Sequence, residues 1–142
     1  MGDENSGPHI VEPLLDLQLQ MLIRVMVEES DDNRIPITLN VPGALVYGYL
    51  VSSSAWRTRW VETVGAMRGK GKEHLSFFPD QIFNAIDTVL AENGEEDTDH
   101  MPRWVHLVDV RMVTGAMNTI ADLPLWRGRL ADVAGWSIGL PQ

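Results

Sequence analysis

The sequence predicts an α+β domain: a small, strongly bent β-barrel or sheet of about five strands, with an N-terminal helix and a two-helix insertion. Strand-like alternation of apolar and polar residues falls into two blocks, residues 37–53 and 104–140, with helical patterns before and between them. Gly48 lies in the middle of one alternating run, where glycine typically marks a bend, a bulge or a close backbone approach. Residues 124–140 contain two short alternating runs joined by turn residues, which is typical of a β-hairpin.

One domain accounts for the length of the chain, because 142 residues can bury a substantial hydrophobic core. We expect a disordered tail over residues 1–13 and a single globular domain over 14–140, with the helical insertion at about 54–93 and an acidic loop at 94–100. The sequence has no cysteine, no signal-peptide pattern and no apolar run of the roughly 18 residues that span a bilayer. These features predict a cytoplasmic protein that has no disulfides and does not enter membranes.

The net charge of −9 is concentrated in three acidic patches. They hold twelve of the twenty acids, namely Asp3, Glu4 and Glu12; Glu28, Glu29, Asp31 and Asp32; and Glu92, Glu95, Glu96, Asp97 and Asp99. The rest of the chain has eight acids against eleven Lys and Arg, so the packed body is mildly basic. Acidic loops solvate a protein and keep molecules apart, and they weigh against binding to nucleic acid.

The first predicted helix runs from Leu14 to Glu29 and is apolar around most of its circumference. Its polar residues recur at every fourth position and form one narrow stripe of Asp16, Gln20, Arg24 and Glu28. A helix of this kind must be covered on more than one side. Two interpretations stay open: a central core helix, or a helix shared with another subunit.

The first strand block predicts two strands joined by a tight turn. Ile37–Val41 alternates apolar and polar residues, Pro42 and Gly43 suit a type II turn, and Ala44–Ser53 is apolar on both faces around Gly48.

The helical insertion follows directly. We predict one helix from an N-cap at Ser54 to about Met67, a basic connector over residues 68–72, and a second amphipathic helix from Pro79-Asp80 to Asn93-Gly94.

The second strand block begins with a strand over 104–113. Side chains alternate between the two faces of this strand. One face carries Trp104, His106, Val108, Val110 and Met112. The opposite face carries Val105, Leu107, Asp109, Arg111 and Val113. In the closing segment, Arg127 and Arg129 alternate with Trp126 and Gly128, which predicts an outward basic strip. The candidates for contact with a partner are Arg111, Arg127, Arg129, Trp126 and Trp136.

No residue pattern points to catalysis or to a cofactor. The segment from Gly65 to Lys72 lacks the spacing and the Ser or Thr of a phosphate loop, and the four histidines lack the partners of a metal site. Asp109 and Asp132 are the two carboxylates in or beside strands, and we expect them to pair with Arg111 and with Arg127 or Arg129. The residues by themselves therefore give no evidence of an enzyme, a metal site or a cofactor site.

Three blocks of the chain resemble the gas vesicle accessory protein GvpU family. The first is the alternating run Ile37–Val41 followed by Gly43 and by the stretch from Val46 to Ser52 with its central glycine, and the second is Val105–Leu107 with Asp109–Met112. The third block is the most specific: Trp126–Leu130 is followed by Val133–Gly139, in which the aromatic Trp136 comes directly after Gly135. The resemblance spans roughly residues 14–140.

The resemblance implies a cytoplasmic, non-enzymatic accessory protein that has no cofactor. Such a protein is associated with gas vesicles and takes part in vesicle assembly or clustering through protein–protein contacts. Its expected partners are the vesicle shell or other accessory proteins, and we expect a homo-oligomer because the first helix and the five tryptophans offer surplus apolar surface. The order of the elements is also similar to an SH3- or Sm-type barrel with a helical insertion.

The barrel likeness leaves one alternative function, an Sm-like single-stranded RNA-binding protein. It would bind phosphates through a set of basic residues: Arg103, Arg111, Arg127, Arg129, Lys70 and Lys72. A third hypothesis, a small hydrolase that uses Asp109 or Asp132, lacks any visible nucleophile or base beside either carboxylate.

Overall fold

The structure, a computed structural model, describes residues 15–92, 101–115 and 119–142, so the predicted tail over 1–13 and the acidic loop at 94–100 lie outside the described residues. In chain order, the elements are helix α1 (Leu17–Leu22), which continues as a π-helical turn (Ile23–Val27), strands β1 (Ile35–Val41) and β2 (Ala44–Leu50), helices α2 (Ser53–Gly65) and α3 (Lys72–Glu92), strands β3 (Trp104–Thr114) and β4 (Thr119–Arg129), a 3-10 turn (Leu130–Asp132) and strand β5 (Gly135–Ile138). The predicted α+β class with five strands is confirmed.

The five strands form one antiparallel sheet in the order β4-β3-β2-β1-β5. β1 and β2 are joined at the predicted turn, where Gly43 has a φ of +81°, a conformation that glycine adopts without strain. β4 and β5 are the two edges, so the sheet is open within the part of the chain that the structure describes. The prediction allowed a barrel or a sheet, and the described strands form the sheet.

The predicted closing hairpin is wrong. β5 pairs with β1, whereas β4 pairs with β3, so the two closing strands lie at opposite edges. The 3-10 turn takes the chain across the sheet because Leu130 is buried in the hydrophobic core. Backbone hydrogen bonds hold both ends of this crossing: Leu130 N–H donates to Arg103 O at 2.8 Å, and Ala134 N–H donates to Asn40 O at 2.8 Å. Pairing with β1 also covers an edge whose backbone groups would otherwise face solvent.

A β-bulge lies opposite Gly48, where the sequence predicts a bend or bulge. The register between β2 and β3 shifts by one residue between Tyr47 and Tyr49, and the extra residue, Asp109, has a φ of +51°. A Cβ atom on Gly48 would lie 2.9 Å from Val108 O and 3.1 Å from the Cα of Val110. Glycine is therefore required for β2 and β3 to approach this closely.

The bulge also changes which side chains of β3 share a face, so the predicted alternation along this strand is wrong beyond it. The side chains that pack into the main core are Val105, Leu107, Val110 and Met112. His106 and Val108 lie on the opposite face, near α2. Sequence alternation assumes a constant period of two, and the extra bulge residue shifts that period by one.

Two hydrophobic clusters lie on opposite faces of the sheet. The main core joins α1 and the π-helical turn to the sheet through fully buried side chains: Leu19, Ile23, Val27, Ile37, Leu39, Val46, Leu50, Val105, Leu107, Val110 and Leu130. The second cluster joins α2 to the other face through Val51, Trp56 and Val108, with Tyr49, Ala55, Trp60 and Leu125 packed around them.

The polar stripe of α1 contacts other parts of the protein at Asp16 and Gln20, whereas Arg24 and Glu28 are exposed. Asp16 caps the helix by accepting from Leu19 N–H at 3.0 Å, and Gln20 donates its Nε2–H to Pro102 O at 3.0 Å. The exposed side instead carries apolar residues, including Leu17, Met21 and Val25. The described chain therefore covers only one apolar side of this helix, although the sequence predicts that more than one side must be covered.

The N-cap of helix α2 lies two residues before the predicted one. Ser52 is the cap, since its Oγ accepts from Ala55 N–H at 2.9 Å while donating to Asp31 Oδ1 at 2.6 Å. The Ser52–Ser54 triplet thus ties the start of α2 to the segment after α1, as expected for capping serines.

Helix α3 begins at Lys72, earlier than predicted, and contains Pro79. A proline inside a helix lacks the N–H that would bond to the carbonyl four residues before it, which here is Leu75 O. Trp60 of α2 supplies the missing donor: its indole Nε1–H donates to Leu75 O at 2.6 Å. A contact between two helices therefore compensates for the proline, and sequence signals near α3 alone could not reveal it.

Candidate interaction site

The pairing of β3 with β4 brings together three side chains at one end of the sheet. His106 lies opposite Arg127, and Trp104 is two residues before His106 on the same face. Arg127 donates its Nε–H to His106 Nε2 at 3.2 Å, and its guanidinium carbon lies 3.8 Å from the centroid of the Trp104 ring. The hydrogen bond and the cation–π contact fix the orientation of Arg127 from two sides.

His106 is only 5% exposed, and its environment keeps it uncharged. Burial, followed by the positive charges of Arg127 and Arg57, lowers the pKa of His106 from 6.5 to about 3. Near neutral pH the imidazole is therefore neutral, and its Nε2 lone pair accepts from Arg127. Burial also lowers the pKa of Arg127, but an arginine remains a cation under these conditions.

These side chains form one wall of a cavity of about 340 Å³. Three arginines line it: Arg24, Arg103 and Arg127. The less polar wall consists of Met101, Pro102 and Trp104. The cavity therefore combines cationic groups with an apolar surface, which is the composition of a site for an anionic group carried on an apolar stem.

One carboxylate, that of Glu28, also lines the cavity. It is held at the start of α2, where Oε1 accepts from Ser53 N–H at 3.0 Å and Oε2 accepts from Ser53 Oγ at 3.3 Å. Arg24 donates from Nη1 to Met101 Sδ at 3.2 Å. Three arginines against one carboxylate leave the lining with a net positive charge.

The other two predicted contact arginines are ion-paired within the chain. Arg111 lies 3.1 Å from Asp122, and Arg129 binds both oxygens of Asp132 at 3.1 Å each. Among the ion pairs of the described residues, none involves Arg127. Of the two arginines in the predicted basic strip, Arg127 therefore lies in the cavity wall, and the charge of Arg129 is offset by Asp132.

The predicted pairing of Asp109 with Arg111 is wrong, whereas the predicted pairing of Asp132 with Arg129 is confirmed. The bulge directs Asp109 toward Arg34 at 2.8 Å and Arg59 at 2.5 Å. Burial raises the pKa of this carboxyl, but the hydrogen bonds from Arg34 and Arg59 outweigh that effect and hold the pKa below its usual value. This pairing ties β3 to α2 and to the segment before β1.

The two predicted contact tryptophans lie on the face of the main core. Both Trp126 and Trp136 are half-buried and pack against core side chains. The Trp136 indole Nε1–H donates to Asp16 Oδ2 at 2.8 Å, which links β5 to the start of α1. The structure thus separates these tryptophans from Arg127, and their role in partner contact stays a prediction.

Sequence reasoning missed most of the cavity. Arg24 comes from the π-helical turn after α1, and Arg103 directly precedes Trp104 at the start of β3. Arg127 comes from β4. The one sequence signal was the single arginine in the polar stripe of the first helix, because a polar residue on a mostly apolar helix must face something polar. The pairing of His106 with Arg127 needs the strand register, which the sequence does not display.

A second surface lies on the α2–α3 hairpin. Its large apolar side chains are exposed, namely Val61, Met67, Leu75, Phe77, Phe78 and Ile82. The connection between the helices and the start of α3 add basic groups beside them: Arg68 and Lys70, then Lys72 and His74. We call these residues the hairpin surface.

Within residues 15–92, 101–115 and 119–142, no cluster of three or more His, Asp or Glu side chains could hold a metal ion. None of the described helices is both long and apolar enough to cross a membrane.

Comparison with known proteins gives one family. The model of the family described as "Gas vesicle protein GvpU-like" matches residues 16–141, which is nearly the whole chain. Neither a curated protein nor a solved structure matches significantly. The match covers α1 and all five strands, including the three blocks on which the resemblance rests. The resemblance is confirmed, and the chain belongs to the GvpU-like family of gas vesicle proteins.

Proposed function

We propose that this protein is a non-enzymatic, cytoplasmic accessory protein of gas vesicles that acts through protein–protein contacts in vesicle assembly or clustering. The partner that we infer is the vesicle shell. The observation that carries the proposal is the hairpin surface, since six large apolar side chains on one helix pair are exposed. Contiguous exposed apolar patches on proteins mark sites of interaction with other macromolecules.

Phe77 and Phe78 are the expected anchors of this contact. They are 62% and 50% exposed, so each loses much apolar area from water when a partner covers it. Aromatic anchors surrounded by basic residues typically dominate the binding energy of such surfaces. The lysines and arginine of the adjacent connection favour a partner with acidic groups.

We expect the double variant Phe77→Ser with Phe78→Ser to reduce binding to the vesicle shell by about tenfold, because two buried aromatic contacts are lost. The measurement is co-flotation of the purified protein with gas vesicles isolated from cells that lack this gene. Ile120→Ser is the matched control, since Ile120 is 56% exposed on β4, outside the hairpin surface, and its loss should leave the bound fraction unchanged. Equal binding by wild-type protein and the double variant, or no binding by either, would contradict the proposal.

We also propose that the protein is a homo-oligomer in which α1 packs against a second copy. The exposed side of this helix carries Leu17, Met21 and Val25 at intervals of four residues, so they form one apolar row. The polar stripe of the helix is engaged within the same chain, which leaves the apolar row to face outward. A twofold pairing would bring two identical rows together.

Light scattering at micromolar concentration tests this pairing. We expect a dimeric mass for the wild-type protein and a monomeric mass for Met21→Glu, because two like charges would face each other across the contact. Ile120→Glu, on β4, should remain dimeric. A wild-type protein that is strictly monomeric would contradict the proposal.

The alternative of a single-stranded RNA-binding protein stays a prediction. Two of its basic residues, Arg111 and Arg129, are ion-paired with carboxylates of the same chain, which reduces the charge available to phosphates. No observation favours it over protein–protein contact.

A further inference from the structure

We propose that the cavity beside Trp104 binds a single carboxylate group, that of an acidic side chain on a partner protein. The proposal rests on the proposed function only for the source of that carboxylate. The binding chemistry itself rests on the cavity, which lies on β3, β4 and α1 and does not include the hairpin surface.

Arg127 is the main recognition residue. His106 accepts the Nε–H of Arg127, so the two terminal nitrogens of the guanidinium are left for a ligand. Trp104 supports the flat face of the same group at 3.8 Å. A guanidinium held in this way presents two parallel N–H donors, and a planar carboxylate accepts both at once.

Arg103 supplies a second cation at the exposed side of the cavity. None of the ion pairs formed by the described residues involves Arg103, so its charge is not offset by a carboxylate there. Arg24 also contributes charge, but its guanidinium already contacts Met101. We therefore assign direct contact with the ligand to Arg127 and Arg103.

Glu28 explains why the ligand is a carboxylate rather than a phosphate. Its carboxylate stays in the cavity wall because Ser53 holds both oxygens. The carboxylate of Glu28 repels an anion bound in the same cavity, and the repulsion grows with the charge of that anion. A carboxylate has one negative charge, whereas a phosphate monoester approaches two, so the cavity favours the former.

The apolar wall and the size of the cavity indicate what carries the carboxylate. Met101, Pro102 and Trp104 contact the stem of a bound group, and about 340 Å³ is at the lower limit for small-molecule sites. This space is large enough to admit one amino-acid side chain with methylene groups. A glutamate side chain satisfies both conditions.

The test uses small probes and nuclear magnetic resonance of the full-length protein. N-acetylglutamic acid amide carries only the side-chain carboxylate, and N-acetylglutamine amide has the same shape without the charge. We expect saturable shifts of the Arg127 Nε–H and Trp104 indole N–H signals with the glutamate probe and none with the glutamine probe. Equal binding of both probes would overturn the proposal.

Matched variants locate the site. Arg127→Gln should weaken binding of the glutamate probe by about tenfold or more, because a charge-assisted pair of hydrogen bonds is lost. Arg129→Gln should bind like the wild-type protein, since Arg129 is on the same strand but is paired with Asp132. If Arg127→Gln does not fold, Arg103→Gln serves instead, because that side chain is exposed. Equal loss in Arg129→Gln would overturn the assignment.

Two further probes separate the possible sources of the anion. Inorganic phosphate or a uridine oligonucleotide that binds more tightly than the glutamate probe would overturn the carboxylate assignment. An acidic peptide that binds more tightly than the single amino acid supports a protein partner, whereas equal affinity would overturn that part of the proposal. Saturable binding of the glutamate probe, together with equal co-flotation of the wild-type protein and the Phe77→Ser, Phe78→Ser variant, would refute the proposed function but support this site.

Discussion

We expect Gly48→Ala to lower the free energy of unfolding by about 3 kcal/mol, and the larger Gly48→Val to prevent folding. The added Cβ would lie 2.9 Å from Val108 O, which is closer than Cβ atoms approach other atoms, and 3.1 Å from Val110 Cα, which is tighter than most Cβ contacts. Both neighbours are backbone atoms of β3, so they cannot rotate away as the end of a side chain can. β2 and β3 would have to separate at the bulge, in the middle of the sheet.

Urea unfolding measures this effect, and Gly65→Ala is the control. Gly65 is the last residue of α2, and a Cβ there would meet nothing within 4 Å. Alanine at that position should stabilise the protein by about 0.5–1 kcal/mol, because glycine is a poor helix former. A Gly48→Ala protein as stable as the wild type would show that β2 and β3 do not approach as closely as described.

Acid should destabilise the protein from about pH 6.5 downward, because His106 resists protonation in the folded state. The pKa of His106 is about 3 when folded, against 6.5 for the unfolded chain, since burial and the charges of Arg127 and Arg57 disfavour imidazolium. Between these values the unfolded chain binds a proton that the folded chain does not. Stability is therefore greatest above pH 6.5 and falls as the pH drops, by up to about 1.4 kcal/mol per pH unit.

The window from about pH 6.5 to 4.5 isolates this effect. Hydrogen bonds from Leu19 N–H and the Trp136 indole lower the pKa of Asp16, so its protonation destabilises the folded state only below about pH 4. His106→Gln keeps an acceptor for Arg127 but does not titrate, so its free energy of unfolding should be flat across the window. A wild-type slope equal to that of His106→Gln would contradict the prediction.

The sequence predicts those elements whose formation depends on residues close together in the chain. The helix over residues 17–27, the β1–β2 pair and its turn at Gly43 follow from local periodicity and from glycine's access to positive φ. The sequence predicts a bend, a bulge or a close backbone approach at Gly48, because a glycine inside a strand usually marks such a feature, and the structure has a bulge there. The family match, over residues 16–141, includes the local blocks on which the resemblance rests.

The candidate site was far less predictable. The sequence predicts Arg127 as a contact residue, but the contacts of Arg127 with His106 and Trp104 join residues more than twenty positions apart. Arg24, in the same cavity, comes from near the other end of the chain. Such contacts require the strand register, and a one-residue bulge changes which side chains share a face. The same dependence explains why the predicted closing hairpin is wrong. Turn residues between two strands do not reveal that β5 pairs with the open edge of β1 instead of with β4.

The sequence by itself determined the α+β class, the N-terminal helix, the position of the bent strand and the family. These depend on residue types at short spacing, which act before the chain is folded. Only the tertiary structure decided that β5 crosses to β1, that Trp60 satisfies the carbonyl left open by Pro79, and that three distant arginines line one cavity. The physical reason is that partners distant in the sequence must satisfy buried polar groups and strand edges, and the fold selects them.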